Sequence, residues 1–457
     1  MSLQATVTDK QLKMTKWTGA AAIAGCCLAL RLGSAAAHEG HEQDAPAFEM
    51  HMLQQPTPAP DRVVLTWSGD PATSIDVTWR TDDTVEKSTV EFVPAADIVG
   101  NLEHGNVPIC CTVEGTSADF ASDRGPSRMH TAHLEGLRPD TMYAYRVGNG
   151  QFWSEWLQFR TAAAEAKPFT FIYFGDAQNA IRSLWSRVIR EANLRAPRAA
   201  FMLHAGDLIN SRNSDAEWGE WFGAGGWING TIPSVATPGN HEYGGGAHVD
   251  DHWRPQFAFP LNGPPGLEET AYWFDYQGTR IISLNSNERL QQQRHWLKSL
   301  LDDPERPKWT IVTFHHPIYS AAKERDNAEL REQWQAVLEE GGVDLVLQGH
   351  DHAYARSALG GPKNVAEGVR RQESNTVYVV SVSGPKQYPL AEAWDVSRNA
   401  SGVQLFQIIH VSSERISYEA RLATGELYDG FTLLKSADGQ SELIEQIPPT
   451  PEIREQP

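Results

Sequence analysis

A chain of 457 residues exceeds one compact core, and a typical ~150 residues per domain points to two or three domains. Its formal net charge of −19 argues against electrostatic capture of nucleic-acid backbones or anionic lipid. It does not exclude a phosphate substrate, because bound cations reverse the sign of the local field.

Residues 1–37 have the order of an export signal. Lys13 and Lys16 are basic, residues 17–32 are mostly apolar or small, and Ala35-Ala36-Ala37 offers a small-residue cleavage site. The apolar run is too short for a stable membrane span, and Met14 is an alternative start. Ile23-Ala24-Gly25-Cys26 also resembles a lipoprotein cleavage box, but the sequence after Cys26 stays apolar where a lipoprotein turns polar. The expected location is periplasmic or secreted. Residues 38–60 are polar and read as a flexible leader, in which His38, Glu39 and His41 either bind metal loosely or are simply solvated, and solvation is favoured.

Residues 61–163 read as all-β: Val63 to Trp67, Ile75 to Trp79 and Met142 to Val147 are short β-rich segments with turn signals between them. Leu137-Arg138-Pro139-Asp140-Thr141-Met142-Tyr143 looks like the tyrosine corner of a fibronectin type III sandwich. Within this region Cys110-Cys111 is too strained a pair for an ordinary disulfide and lacks the four-ligand spacing of structural zinc. It is read as structural or incidental. Residues 162–167 form a short Ala/Glu linker.

From 168 to 424 the rhythm changes. Apolar strand-like runs at 169–174, 200–204, 234–237, 280–284, 309–314 and 344–347 alternate with helix candidates such as 292–301 and 328–340. That alternation implies a layered α/β fold. Residues 425–457 read as a polar C-terminal extension with a Pro-rich tail.

Five polar clusters follow five of the strands: Gly175-Asp176-Ala177-Gln178, Gly206-Asp207-Leu208-Ile209-Asn210, Gly239-Asn240-His241-Glu242, His315-His316-Pro317 and Gly349-His350-Asp351-His352. Sites in open α/β sheets form beyond the carboxyl ends of strands. Carboxylate, amide oxygen and imidazole together suit borderline cations such as Zn²⁺, Mn²⁺ and Fe. Each cluster alone is more often a turn than a ligand set, whereas five in one order point to metal. Ser211 to Gly230 is rich in Trp and Gly; Trp218, Trp221 and Trp227 either wall the cleft or pack the core, and packing is favoured. His316 is either a hydrogen-bonding neighbour or a substrate contact. Glu242 either orients His241 or faces solvent. Arg356 contacts phosphate or pairs with a structural carboxylate.

This order of clusters resembles the calcineurin-like metallophosphoesterase superfamily, and in particular its purple acid phosphatase branch, which carries a fibronectin-like domain before the catalytic one. Trp153-Ser154-Glu155, Phe159-Arg160-Thr161 and Gly349-His350-Asp351-His352-Ala353-Tyr354-Ala355-Arg356 resemble that branch too. The resemblance covers roughly 62–422 and implies an α/β/β/α sandwich with two divalent metal ions (Zn, Mn or Fe). By it, Asp176 and His352 hold the first metal, Asp207 bridges, and Asn240, His315 and His350 hold the second. His241 matches an outer-sphere histidine that contacts phosphate and protonates the leaving group. The implied reaction is in-line attack of metal-bound hydroxide on a small phosphate monoester. Rival readings are a phosphodiesterase or nucleotidase on the same fold, and a non-catalytic metal-binding interaction protein.

Two positions depart from the pattern. Asn210 stands where purple members carry the tyrosine that colours them and holds ferric iron. Gln178 stands where other superfamily members place a histidine; it either ligates through its oxygen or hydrogen-bonds a metal water.

Overall fold

The computed structural model describes residues 54–100, 111–361, 363–364, 375–392, 394–436 and 439–454. The export-signal reading, most of the leader, Cys26 and Cys110 lie outside the described residues, while Cys111 is exposed at the start of a strand.

Two four-stranded antiparallel sheets form the first domain. One runs Asp61–Thr66, Ile75–Thr81, Gly125–Leu134, Thr116–Ser122, and the other Cys111–Glu114, Thr89–Pro94, Met142–Gly148, Leu157–Arg160. Alternating residues such as Val64, Val77, Trp79, Val90, Tyr145 and Val147 are buried between them. The tyrosine corner is formed: Arg138 N donates to Tyr143 Oη at 3.0 Å. The 162–167 linker is tied to the next domain, since Ala163 N donates to Gln277 Oε1 and Gln277 Nε2 donates to Lys167 O, each at 2.8 Å.

The second domain is built on two mixed seven-stranded sheets. The first runs Ser234–Ala236, Met202–His204, Phe169–Phe174, Leu405–Val411, Arg415–Leu422, Leu427–Lys435, Ser441–Glu445. The second contains the parallel run Thr279–Ser283, Trp309–Thr313, Leu345–Gln348, Val377–Val380. Helices Leu290–Leu301 and Ala328–Glu340 cover the second sheet, burying Leu297, Trp334 and Leu338 against Ile282, Val312 and Val346. Helix Ser186–Arg195 buries Val188 and Ile189, and Asp215–Gly225 buries Trp218 and Trp221 within the main core. Those two tryptophans are core, whereas Trp227 is exposed.

The reading of 425 onward as an extension is corrected for 427–445, whose two strands complete the first sheet. The pattern was obscured by Asp429, a charged residue on an inward-facing position. It is fully buried because Arg356 pairs with it at 2.7 Å, and Arg356 also pairs with Glu445 at 2.7 Å. Arg356 is thereby structural and does not serve phosphate. The following segment is held as well: Ile453 N donates to Tyr428 Oη at 3.1 Å.

The two domains share one core. Trp67 of the sandwich packs against Phe201, Phe274 and Tyr276, and Tyr145 Oη donates to Gly230 O at 2.6 Å. Beside this lies a buried charge network. Asp215, the first residue of its helix, pairs with Arg62 at 2.7 Å, Arg80 at 3.2 Å and His252 at 3.3 Å, and His252 pairs with Asp250 at 2.7 Å. Burial disfavours the Asp215 charge, but His252 and the two guanidiniums outweigh it and hold its pKa below the ordinary 3.8. Burial likewise opposes the His252 charge, yet the carboxylates raise it above 6.5. Asp215 therefore stabilises the fold above pH 3.8 and loses that effect as pH falls through its lowered value. His252 contributes fully below pH 6.5 and loses its effect as pH rises through its raised value. The network is strongest between the two. Replacing Asp215 with Asn leaves two guanidiniums buried without their shared anion, at a cost of about 3–5 kcal/mol. Urea midpoints across and above this window check both claims: the variant should be less stable and lose the mildly acid maximum.

Candidate metal centre

Each strand end delivers one cluster to a common rim through tight backbone turns. Asp207, His350 and His352 have φ of 51°, 75° and 47°, a left-handed conformation that side chains rarely adopt. Gly206 precedes Asp207 at φ 87°, and a Cβ on Gly239 would collide with Asp207 Oδ1. Left-handed turns at His350 and His352 let residues two apart point to separate positions.

The donors fall into two groups joined by one carboxylate. In the first, Asp176 Oδ2 lies 3.1 Å from His352 Nε2, and single ligand atoms of Asp176, Asp207 and His352 all lie within 4.8 Å of one another. In the second, Asn240 Oδ1 lies 3.1 Å from His315 Nε2 and 2.8 Å from His350 Nδ1, and the two imidazole nitrogens are 3.1 Å apart. Asp207 Oδ2 touches both groups, 3.2 Å from His315 Nε2 and 2.9 Å from Gln178 Nε2. The structure thus brings together all six residues singled out as ligands.

Tautomers follow from the other ring nitrogens. His315 Nδ1 donates to Ala205 O at 2.9 Å, and His352 Nδ1 donates to Lys386 O at 3.0 Å, so each presents Nε2 to the centre. Converging lone pairs on carboxylate, amide and imidazole repel unless a cation lies among them. Burial and neighbouring positive groups push the His350 pKa far down, while for buried His315 the carboxylate of Asp207 outweighs desolvation and raises it to about 9. Asp176 Oδ2 and Gln178 Oε1 are buried with no hydrogen-bond partner among the described residues. The donor set fits two borderline cations.

Gln178 lies in this first group, its Nε2 also 2.9 Å from His352 Nε2. Asn210 turns its side chain away: Oδ1 accepts from Asn179 at 2.8 Å, and only its carbonyl faces the centre, accepting from His241 Nδ1 at 2.5 Å. His241 N donates to Asp207 Oδ1 at 2.9 Å, and its Nε2 lies 4.0 Å from Asp207 Oδ2. Glu242 neither faces solvent nor contacts the His241 ring. It is fully buried and accepts from Asp207 N, Leu208 N and Gly239 N at 2.7–2.9 Å, stapling the second and third loops. Burial and the nearby Asp207 push its pKa up to about 8. His316 joins the second group, with a ring nitrogen within 4.8 Å of those of His315 and His350, while its Nδ1 bonds Ser286 at 2.8 Å. Sequence reading missed Ser286, and also Arg325, Lys386 and Tyr388 at the rim; none sits in a recognisable motif.

Both domains resemble known families. The model for the N-terminal domain of purple acid phosphatases matches residues 60–161, and the model for calcineurin-like phosphoesterases matches 169–354. Purple acid phosphatase 18 of Arabidopsis thaliana is 27% identical over 366 residues, covering 76% of this chain and 78% of the relative. Acid phosphatase type 7 of Homo sapiens is 27% identical over 337 residues, covering 66% and 72%. A purple acid phosphatase structure from yellow lupin seeds superposes with a TM-score of 0.66 at 20% identity, covering 83% of this chain and 75% of that one, which shows the fold. Among the described residues no helix is long and apolar enough to cross a membrane. The chain belongs to the calcineurin-like metallophosphoesterases of purple acid phosphatase type, and it is a phosphoric ester hydrolase.

Proposed function

We propose that the protein is an exported dinuclear phosphatase acting on small phosphate monoesters. The observation that carries this reading is the position of Asp207 Oδ2, shared between two donor groups. Asp176, Asp207 and His352 would hold the first cation, and Asp207, Asn240, His315 and His350 would hold the second. Zn²⁺, Mn²⁺ or Fe²⁺ suits both. When bound, such a pair supplies Lewis acidity that makes water nucleophilic near neutral pH and offsets charge at phosphorus. The chain itself orients and donates: His241, fixed by Asn210 O, carries a proton at Nε2 for the leaving oxygen. Export is supported by the residue order of 1–37. A panel of monoesters and diesters, assayed with elemental analysis of the same sample, tests the reading. A tenfold or greater preference for monoesters is expected; a diester preference favours the phosphodiesterase reading, and a metal-loaded inactive protein favours a binding role. N-terminal sequencing of the native protein should begin near His38.

The protein should also be colourless. Visible absorption in the purple branch needs a phenolate on ferric iron, and Asn210 cannot supply one. Tyr243 Oη is committed to Glu288 and Asn285, and the Tyr319 ring packs on Tyr378 and Trp394. Tyr388 presents its ring to His352 at 4.8 Å. A visible band in fully metallated, active enzyme that bleaches on Tyr243→Phe, Tyr319→Phe or Tyr388→Phe overturns this.

A further inference from the structure

Two carboxylates hold the backbone of the second cluster from behind. Five consecutive N–H groups, from Asp207 to Ser211, are all donated to them. Glu242 takes the first three, Asp207 N at 2.9 Å, Leu208 N at 2.8 Å and Ile209 N at 3.3 Å. Glu217 takes the other two with a single oxygen, Oε2, which accepts from Asn210 N at 2.6 Å and Ser211 N at 2.8 Å.

Glu217 is the third residue of helix Asp215–Gly225. A glutamate there ordinarily folds back onto the N–H of the residue that caps its own helix. Here the cap is Ser214, and its N–H goes to Ser211 O at 3.1 Å instead. The carboxylate reaches past the cap to the loop of the metal centre. Its helix is fixed in turn, because Asp215 at the start is clamped by Arg62 and Arg80 of the sandwich at 2.7 Å and 3.2 Å. Ser211 N–H and Asn210 C=O belong to one amide. The N–H of that amide is donated to Glu217, and its oxygen accepts from His241 Nδ1 at 2.5 Å. Carboxylate, peptide and imidazole thus form one chain. Negative charge at the N–H end shifts electron density toward the carbonyl oxygen, and hydrogen bonds in such a chain strengthen one another.

Resting on the assignment of His241 as proton donor, we propose that Glu217 is a positioning residue for that histidine, acting through the Asn210–Ser211 peptide. It sets the direction of the carbonyl that fixes the ring, and it makes that carbonyl a stronger acceptor. The Nδ1 proton then stays on the ring. The proton that leaves is the one on Nε2, and it passes to the departing oxygen as the bond from that oxygen to phosphorus breaks with its electron pair on oxygen. A substrate whose leaving group needs no proton gains little from Glu217.

The test uses the full zinc-loaded enzyme with glycerol 2-phosphate, an alkyl ester, and p-nitrophenyl phosphate. Glu217→Gln keeps an accepting oxygen and removes the charge. It should lower kcat on the alkyl ester roughly 10-fold with KM near wild type, and lower kcat on the nitrophenyl ester less than about threefold. In a His241→Ala background the same substitution should change neither substrate further, because the residue it acts through is gone. Zinc content should stay at wild type. Where His241→Ala discriminates the two esters, equal losses from Glu217→Gln, or losses that multiply with those of His241→Ala, would show that Glu217 only supports the loop and would overturn the proposal. Proton NMR of the imidazole separates this coupling from the proton-donor reading. The His241 Nδ1 proton, identified by its absence in His241→Ala, should give a downfield signal that Glu217→Gln moves upfield and exposes to faster exchange. That result supports the coupling even if His241→Ala affects both esters alike, whereas an unmoved signal refutes it while leaving His241 as the proton donor.

Discussion

Asp207→Asn should reduce kcat by about 10³-fold or more at saturating metal while leaving the fold intact, because several kcal/mol of the barrier is at stake. Asp207 occupies the one place where both donor groups meet, with Oδ2 3.2 Å from His315 Nε2 and 2.9 Å from Gln178 Nε2. Two bound cations would repel each other, and a carboxylate shared between them would offset that repulsion from both sides. Asparagine keeps the size of the side chain and can still accept from His241 N through an oxygen. It lacks the charge, and its amide nitrogen presents hydrogens to one of the two positions. The left-handed backbone at this residue, φ 51°, is tolerated by asparagine at least as well as by aspartate. Desolvation opposes the Asp207 charge, but His315 and His241 outweigh it and lower its pKa to about 2, so the substitution costs some stability without unfolding the chain. The check is kcat alongside elemental analysis and a urea midpoint. A variant with two metals per chain and more than a tenth of wild-type kcat refutes the bridging role. Asn240→Ala should act similarly, through the second position alone.

What the sequence revealed depended on whether its signal was local. Strands such as Trp309–Thr313 and Leu345–Gln348 are fully buried apolar runs, and they announce themselves. The clusters at their ends combine Gly with Asp, Asn or His, a pairing that packing alone does not require. Leu427–Lys435 escaped because Asp429 and Gly430 interrupt its pattern, and the partner that makes Asp429 tolerable, Arg356, is 73 residues away. The same distance problem hid the domain clamp: Arg62 and Asp215 are 153 residues apart. Glu242 was legible as a residue of the third cluster but not as a staple, since its partners Asp207 N and Leu208 N belong to another loop. Arg325 carried no motif, and only the fold shows that its loop returns to His350.

His241→Ala should separate substrates by their leaving groups. An alkyl phosphate, whose departing oxygen needs a proton, should lose about 10²–10⁴-fold in kcat, the usual range for general acid catalysis. A nitrophenyl ester leaves as a stable anion and should lose far less. Geometry favours this role over simple phosphate binding. The Nδ1–H of His241 is donated to Asn210 O at 2.5 Å, so the ring cannot turn, and its remaining nitrogen is the one near Asp207. The side chain is 25% exposed, which leaves room for a leaving group at the open edge of the centre. The acceptor is a backbone carbonyl, so any residue at Asn210 supplies it. The change from tyrosine to asparagine there therefore alters the metal side of the loop without disturbing the proton donor. Equal losses on the alkyl and nitrophenyl substrates would instead assign His241 to binding the transferred phosphoryl group.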